Sequence, residues 1–230
     1  MRGRRAAAPT IAPARRVQDP DGVKKNIIEI ATQEFAANGF SGARVDEIAA
    51  RTNTSKRMLY YYFGDKEGLF RAVLEEGYRR MRQVEATRQF DPIEPEAALR
   101  SLVEFTFDHQ NANADFIRLV MVENIHNGVH LARSKTIREL NVPAITTLRD
   151  IYERGVAAKI FRAGLDVIDL HMSISALSFF NVANRATFSR IFGREMATPG
   201  ALARRREIVV DIILRYVKDS SERASTRARA

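Results

Sequence analysis

Residues 43–66 constrain the fold more than any other segment, and they read ARVDEIAARTNTSKRMLYYYFGDK. In the first third of this segment, apolar residues recur at spacings of three and four, as on one face of a short helix: Val45, Ile48 and Ala49. Asn53 follows, and asparagine tolerates the left-handed backbone that a sharp turn between helices needs. Ser55 is a candidate N-cap, because its hydroxyl can accept hydrogen bonds from first-turn amides. The segment therefore predicts two short helices joined by a tight turn.

The second predicted helix has an apolar face and a basic, aromatic face. Leu59 and Phe63 lie on the apolar face, whereas Lys56, Arg57 and Tyr60 lie on another. This arrangement is typical of a helix-turn-helix, whose second helix fits the major groove of DNA. In that position Arg57 can donate two hydrogen bonds to guanine, which is worth ~1–3 kcal/mol of discrimination between bases. Lys56 can bind either a base or a phosphate.

Residues 24–70 resemble the DNA-binding domain of TetR-type transcriptional regulators. The resemblance rests on an ordered series of segments: Ile27-Ile28-Glu29-Ile30-Ala31, Phe35, Asn38-Gly39-Phe40, Val45-Asp46-Glu47-Ile48-Ala49, Ser55-Lys56, Leu59-Tyr60-Tyr61-Tyr62-Phe63 and Lys66-Glu67. The turn departs from the family pattern, since Asn53 and Thr54 replace a usual glycine and valine. Arg57 and Met58 also stand where the family often has a glycine or proline and a small residue. The operator sequence read by the family therefore cannot be transferred to this chain.

The resemblance implies which side chains of this region meet DNA. The complete set of expected DNA contacts is Arg44, Lys56, Arg57, Tyr60, Tyr62 and Lys66. By resemblance, Tyr60 and Tyr62 bind phosphates, and the residues that begin the second and fourth helices do so as well. Burial is an open alternative for Tyr62, because it lies three residues after Leu59. Among the three consecutive tyrosines, Tyr61 is the one that we expect to pack in the core.

Charge and composition favour a nucleic-acid partner over catalysis. The chain of 230 residues has a formal net charge of +9, which favours a polyanionic partner. It lacks the G-x-S-x-G, glycine-rich phosphate-loop and H-E-x-x-H signatures, so we expect no enzyme and no cofactor. The chain has no cysteine, which excludes disulfides and thiolate metal sites. His126 and His130 have a metal-compatible spacing of four, but Asn127-Gly128 predicts a helix break between them, and we expect no metal site.

The two ends of the chain differ in composition from the rest. Residues 1–20 are rich in arginine, alanine and proline, which predicts a disordered basic arm that either contacts DNA or is a solvated tail. Residues 219–230 are expected to form a flexible tail. No apolar run approaches the ~20 residues that span a membrane, and the start is too short and proline-broken for a signal sequence. We therefore expect a cytoplasmic protein, and the resemblance implies a bacterial or related source.

The whole chain has an all-α pattern of about nine helices. We predict a helix-turn-helix domain over 21–66 and a helical ligand-binding and dimerisation domain over 67–218. The first four helices are expected near 21–38, 44–51, 55–63 and 66–87. Those of the second domain are expected near 97–110, 114–125, 143–158, 166–191 and 201–217, with a short amphipathic piece at 134–140. Pro143 is expected to open a helix, because a first turn tolerates proline.

By resemblance, the C-terminal domain holds a small-molecule pocket and a dimer interface. The candidate pocket residues are Phe116, Met121, Asn124, His126, His130, Phe180, Asn181 and Asn184, which include polar groups within apolar helices. Ordinary surface or helix-end positions are the open alternative for these polar groups. The candidate dimer residues are Met172, Ala176, Phe179, Ala183, Ile208, Ile212 and Tyr216, for which packing within one chain is the alternative.

The expected function follows from the helix-turn-helix and the two implied sites. The leading interpretation is a dimeric repressor that a small organic ligand releases from a double-stranded DNA operator. Such release requires the ligand to bind the two conformations with different affinity. A ligand-independent architectural DNA-binding protein is the alternative, and it would bind all DNA sequences with similar affinity and steep salt dependence.

Overall fold

The computed structural model describes residues 19–88, 90 and 94–218, which form eleven helices and contain no β-strand. The helices are α1 (Pro20–Gly42), α2 (Val45–Arg51), α3 (Lys56–Phe63), α4 (Lys66–Ala86), α5 (Pro95–Ala112), α6 (Ala114–Ile125), α7 (Val129–Ala132), α8 (Lys135–Ala157), α9 (Val167–Ala183), α10 (Arg185–Phe192) and α11 (Pro199–Val217). The all-α prediction is confirmed. Most of the predicted basic arm and the whole of the predicted tail lie outside the described residues. None of the described helices is long and apolar enough to cross a membrane.

Local signals account for the boundaries of the first three helices. The Asp19 side chain caps α1, and Gly39, with a φ of 68°, kinks it before a last turn. Asn53 has a φ of 50° in the turn between α2 and α3. The Ser55 hydroxyl accepts a hydrogen bond of 3.2 Å from the amide of Met58. These caps and turns orient α2 and α3 through contacts between residues that are close in sequence.

The core of the helix-turn-helix extends beyond its first three helices. Ile27, Phe35, Ile48 and Leu59 of α1–α3 form one buried cluster with residues of the first half of α4. The same cluster includes Leu119 of α6 and Ile137 of α8. In addition, α1 packs directly against both α4 and α6. The predicted boundary after residue 66 thus falls at the start of a helix that belongs to both parts of the molecule.

A second core holds the C-terminal helices together. It joins α5, α8, α9 and α11 through buried residues such as Leu99, Leu148, Leu170 and Val210. A smaller cluster at the side of α4 contains Met81, Phe116 and Ile117. Since α4 contributes to both the helix-turn-helix core and this smaller cluster, it is the mechanical connection between them.

Two predicted helix boundaries in the C-terminal part are wrong. The piece at 134–140 and the helix from 143 form one helix, α8, with Pro143 inside it. Ile137 before the proline and Ala144 and Leu148 after it are all buried, so tertiary packing on both sides outweighs the hydrogen bond that proline removes.

The predicted helix 166–191 is instead two helices, α9 and α10, which meet at Asn184. Arg185 stabilises this junction, because its Nη2 donates to Oδ1 of Asn111 at 2.7 Å and its Nε donates to the carbonyl of Asn181 at 3.4 Å. With the unpredicted short helix α7, this break raises the number of described helices from nine to eleven.

Candidate nucleic-acid interface and ligand cavities

The α3 helix presents a face of basic and aromatic side chains to solvent. Lys56, Arg57, Tyr60 and Tyr61 are exposed, whereas Leu59 is buried against α1 and α4. No acidic residue occurs in α3. The face therefore carries hydrogen-bond donors and positive charge. Because it belongs to a single helix, it can enter the major groove, which is wide enough for one α-helix.

The two basic residues of α3 differ in their surroundings. Lys56 Nζ lies 3.1 Å from Oδ1 of Asp46 on α2, and this hydrogen-bonded carboxylate raises the pKa of Lys56. The side chain of Arg57 makes no hydrogen bond or ion pair with any residue that the structure describes. Of the two basic residues of α3, Lys56 must therefore give up an internal contact to bind DNA, whereas Arg57 need not.

The three tyrosines of α3 do not pack as the sequence suggested. Tyr61 is the most exposed of them, at 77%, so the prediction that it packs in the core is wrong. Its position follows from helix geometry, because two residues after the buried Leu59 correspond to a rotation of roughly 200°. Tyr62 is half-buried against the core, and the ammonium of Lys24 lies 5.4 Å from its ring centroid. Tyr60 is 40% exposed on the outer face.

Arg44 and Lys66 flank this face from two other helices. The backbone amide of Arg44 donates to Oε1 of the buried Glu34 at 3.1 Å, and its side chain is exposed. Lys66 Nζ donates to the carbonyl of Ser41 at 3.3 Å and lies 5.2 Å from the Phe40 ring centroid. Burial lowers the pKa of Lys66. Lys66 thus has internal partners for its charge, and a phosphate contact would compete with them.

The two histidines predicted to line a pocket lie at the junction with the helix-turn-helix. His130 is buried and packs on Phe40 and Phe70, with ring centroids 4.8 Å and 4.9 Å away. The His126 ring lies 5.4 Å from that of Phe40. His130 is held by Glu123, a residue that the sequence analysis did not select. These histidines contribute to packing between the two parts of the chain and line none of the cavities described below.

The other predicted pocket residues are distributed over separate places. Phe116 lines a cavity of about 320 Å³ between α1, α4 and α6, which we call the α1–α4 cavity. Phe180 and Asn181 line a cavity of about 290 Å³ between α9, α10 and α11, which we call the α9–α11 cavity. Met121, Asn124 and Asn184 line neither of them. A third cavity of about 580 Å³ between α4 and α8, the α4–α8 cavity, contains none of the predicted residues.

The polar groups of these cavities were not predicted from the sequence. Arg82 and Glu85 form an ion pair at the α4–α8 cavity, and Nε of Arg82 is buried without a partner among the described residues. The α9–α11 cavity is lined by Arg194, Arg204 and Arg205. The only sequence signal for this last set is the run of arginines at 204–206, which looks like an ordinary solvated face.

The predicted dimer residues divide between an exposed strip and the interior. Exposed apolar side chains of α9 and α11 form the strip, which we call the α9–α11 strip: Ile168, Met172, Phe180, Ile208, Ile212 and Tyr216. Ala176 is also exposed on α9. Phe179 and Ala183 instead pack against the cluster of Met81, Phe116 and Ile117 within the same chain. Intrachain packing, the alternative considered for this set, therefore accounts for these two residues.

Comparisons with known proteins agree with this architecture. The sequence profile described as bacterial regulatory proteins, tetR family, matches residues 27–73. A second profile, described as Tetracyclin repressor-like, C-terminal domain, matches residues 95–213. The crystal structure of a bacterial regulatory protein in the tetR family from Rhodococcus RHA1 has a TM-score of 0.67 and 21% identity, over 86% of this chain and 98% of that one. At this identity the likeness concerns the fold alone.

Two relatives extend the likeness to the sequence. The HTH-type transcriptional repressor NicS of Pseudomonas putida is 36% identical over 203 residues, which cover 88% of this chain and 96% of that protein. The HTH-type transcriptional repressor SCO4008 of Streptomyces coelicolor is 33% identical over 140 residues, or 60% of this chain and 69% of that protein. The chain therefore belongs to the tetR family of bacterial regulatory proteins and is a DNA-binding transcriptional regulator with a helix-turn-helix.

Proposed function

We propose that the protein is a dimeric repressor that binds a DNA operator through α3 and is released by a small organic ligand. The observation that carries this proposal is the exposed face of α3. Lys56, Arg57 and Tyr60 lie on that face, and α3 has no acidic residue. NicS and SCO4008 are transcriptional repressors, and the similarity of this chain to them supports repression over activation.

Within this proposal, the DNA contacts have different roles. Arg57 reads a base, because it is exposed and free of internal partners among the described residues. Tyr60 and Arg44 bind phosphates at either side of the groove, which positions α3 without specifying sequence. Lys56 strengthens binding only when its contact with Asp46 is exchanged for one with DNA.

Dimerisation is supported by the α9–α11 strip. Met172 is 61% exposed and Tyr216 is 42% exposed, and both lie on long helices that pack against each other. Large exposed apolar patches mark interaction sites in soluble proteins, and the exposed apolar residues of the strip are candidates for one. A second copy packed on the strip produces a two-fold dimer, and a dimer presents two α3 helices to two half-sites of DNA.

Ligand response is supported by the position of α4. Its first half, including Leu69 and Phe70, lies in the helix-turn-helix core, whereas Arg82 and Glu85 of its second half line the α4–α8 cavity. Gly77 and Val73 also line the α1–α4 cavity. A ligand in either cavity contacts α4, and a shift of α4 moves α3 because both helices share one core.

Binding to DNA from immediately upstream of the gene, compared with scrambled DNA at ~150 mM salt, tests the DNA-binding part of this proposal. We expect the upstream fragment to bind more tightly, and Arg57→Ala to weaken that binding by roughly 5- to 150-fold. Arg190→Ala is the matched control, since Arg190 is exposed on α10. Equal binding of both DNAs would favour an architectural protein or an operator elsewhere, which genome-wide binding then separates.

Sedimentation of the purified protein tests the dimer. We expect Met172→Asp and Ile212→Asp to shift the protein towards the monomer and to weaken operator binding. Val142→Asp is the control, because Val142 is 63% exposed but lies on α8, away from the strip. The same operator assay then screens small organic compounds for release of the protein from DNA.

A further inference from the structure

The α9–α11 cavity combines three guanidinium groups with an apolar wall. Its lining includes Arg194, Arg204 and Arg205 together with the rings of Phe180 and Phe188. The cavity has a volume of about 290 Å³, at the lower end of the ~300–1,000 Å³ typical of small-molecule sites. Its size therefore fits a small organic molecule with a single ring system.

The three arginines of this cavity have no acidic partner among the described residues. None of them forms an ion pair or a side-chain hydrogen bond there, whereas the neighbouring Arg206 donates to Asp108 at 2.9 Å. Glu195 is the one acidic residue of the lining. Three positive charges against one negative charge create a local excess that attracts an anion. Guanidinium groups bind carboxylates through paired hydrogen bonds, so each arginine supplies geometry as well as charge.

The apolar wall is formed by aromatic rings in a fixed arrangement. The ring centroids of Phe180 and Phe188 lie 5.9 Å apart at an interplanar angle of 84°. Met196, Ala201 and Ile208 complete the apolar lining. Such a wall favours the flat face or edge of an aromatic ligand. Asn181, a buried residue of the lining, is already held by Asn111 through a hydrogen bond of 2.8 Å.

We propose that the α9–α11 cavity is a binding site for small aromatic carboxylates. The carboxylate binds Arg204 and Arg205, which lie on α11, and the ring packs against Phe188. Arg194 closes the site from the loop that follows α10. The binding site is a separate claim from repression and release, because it requires no coupling to DNA binding. It adjoins the α9–α11 strip, since Phe180 and Ile208 belong to both.

Titration calorimetry with 2-naphthoate tests the site in the full-length protein. The neutral isostere 2-naphthamide tests whether the charge is needed, and inorganic phosphate tests whether charge alone suffices. We expect saturable binding of 2-naphthoate, at least tenfold weaker binding of 2-naphthamide, and no measurable binding of phosphate at equal concentration. Equal affinities for the acid and the amide overturn the role of the arginines. Phosphate binding as tight as that of 2-naphthoate overturns the role of the apolar wall.

Substitutions locate the ligand. Arg204→Gln and Arg205→Gln should each weaken 2-naphthoate binding about tenfold or more, because each removes a charge-assisted contact. Arg190→Gln is the matched control, since Arg190 lies on α10 outside the cavity lining. All three positions are on or near the surface, and an unchanged melting temperature verifies folding.

A result of no binding to the wild-type protein, or unchanged binding in both cavity variants, overturns the proposal. Absence of binding would mean that the cavity is closed to ligand in the assembled protein, for example by the second copy that packs on the adjoining α9–α11 strip. Operator binding is measured separately on the same samples, so failure of this site is distinguishable from failure of the proposed function. Preserved operator binding with no 2-naphthoate binding contradicts the site alone.

Discussion

Nδ1 of His130 lies 2.6 Å from Oε2 of Glu123, and both side chains are buried. The other carboxylate oxygen of Glu123 accepts hydrogen bonds from the backbone amides of His130 and Leu131, at 2.8 Å and 2.9 Å. One side chain of α6 therefore fixes the whole of the short helix α7. Because the His130 ring packs on Phe40 and Phe70, the same carboxylate determines how the C-terminal part contacts the helix-turn-helix core.

Glu123→Ala should lower the free energy of unfolding by several kcal/mol. The substitution removes the acceptor of one buried backbone amide, one part-buried backbone amide and one buried imidazole, and each buried group left unpaired costs ~1–3 kcal/mol. Urea unfolding followed by circular dichroism measures the change. Glu153→Ala is the control, since Glu153 is an exposed glutamate of α8, and its effect should stay within about 0.5 kcal/mol. Equal effects of the two substitutions would contradict the structural role of Glu123.

Asp46→Asn should strengthen binding to DNA of any sequence. The change removes the carboxylate that lies 3.1 Å from Lys56 Nζ and so frees that ammonium for a phosphate. A plot of the logarithm of affinity against that of salt concentration should become steeper by about one, as one more phosphate contact predicts. Glu47→Gln is a matched change of charge at the next residue. If it has the same effect, release of Lys56 is not the cause.

Gly77→Ala should destabilise the contact between α4 and α6. A β-carbon at Gly77 would lie 2.3 Å from the ring of Phe116, so the ring or the helix must move, at a cost of ~1–3 kcal/mol. Gly200→Ala on α11 meets no atom within 4 Å and gains the same helix propensity. Thermal unfolding of both variants isolates the clash. A Gly77 variant as stable as the Gly200 variant would show that α4 tolerates displacement here.

Stability should fall as the pH is lowered through the region near 6. Burial, together with the positive charge of Arg82, lowers the pKa of both His109 and His171 below the ordinary value of 6.5. The unfolded chain consequently binds protons first as the pH falls below 6.5, and the free energy of unfolding decreases until the folded-state pKa is passed. Urea unfolding at pH 7.5 and 5.5 measures this loss. The double variant His109→Gln, His171→Gln should lose part of the dependence, and an unchanged slope would refute this origin.

The helix-turn-helix was predictable because its signals are local. The Asn53 turn and the Ser55 cap are set by interactions within three residues, and Leu59 follows from helical spacing. The exposure of Tyr61 follows from the same spacing, so the expectation that it packs in the core misjudged a local signal. Tyr62 was not predictable in this way, because a tyrosine is compatible with both exposed and buried positions. Its half-buried placement depends on where Lys24 and the rest of α1 lie, which local sequence does not determine.

The errors in the C-terminal helices have a common cause. Pro143 is a helix-start signal in isolation, but buried residues on both sides of it pack α8 against the core. Asn184 is unremarkable in an apolar run, but Arg185 reaches Asn111 on α5 from that point and ends α9. In both cases the helix boundary is set by contacts between helices that are distant in sequence, and not by the local sequence signal.

The cavities were the least predictable feature. Polar residues within apolar helices suggested a pocket, yet Glu123 and His130 satisfy each other seven residues apart. The arginines of the α9–α11 cavity come together only because the chain reverses between α10 and α11. A site built from such convergence has no short motif that would identify it.

Contact of α1 with α6 limits how the DNA-binding end can move. The helix-turn-helix is attached through α4, and it is also supported where α1 rests on α6 near the buried Leu119. The His130 ring of α7 is a further contact, because it packs on Phe40 and Phe70. A body held at several points cannot tilt freely about any one of them, so reorientation of α3 requires α4, α6 and α7 to shift together.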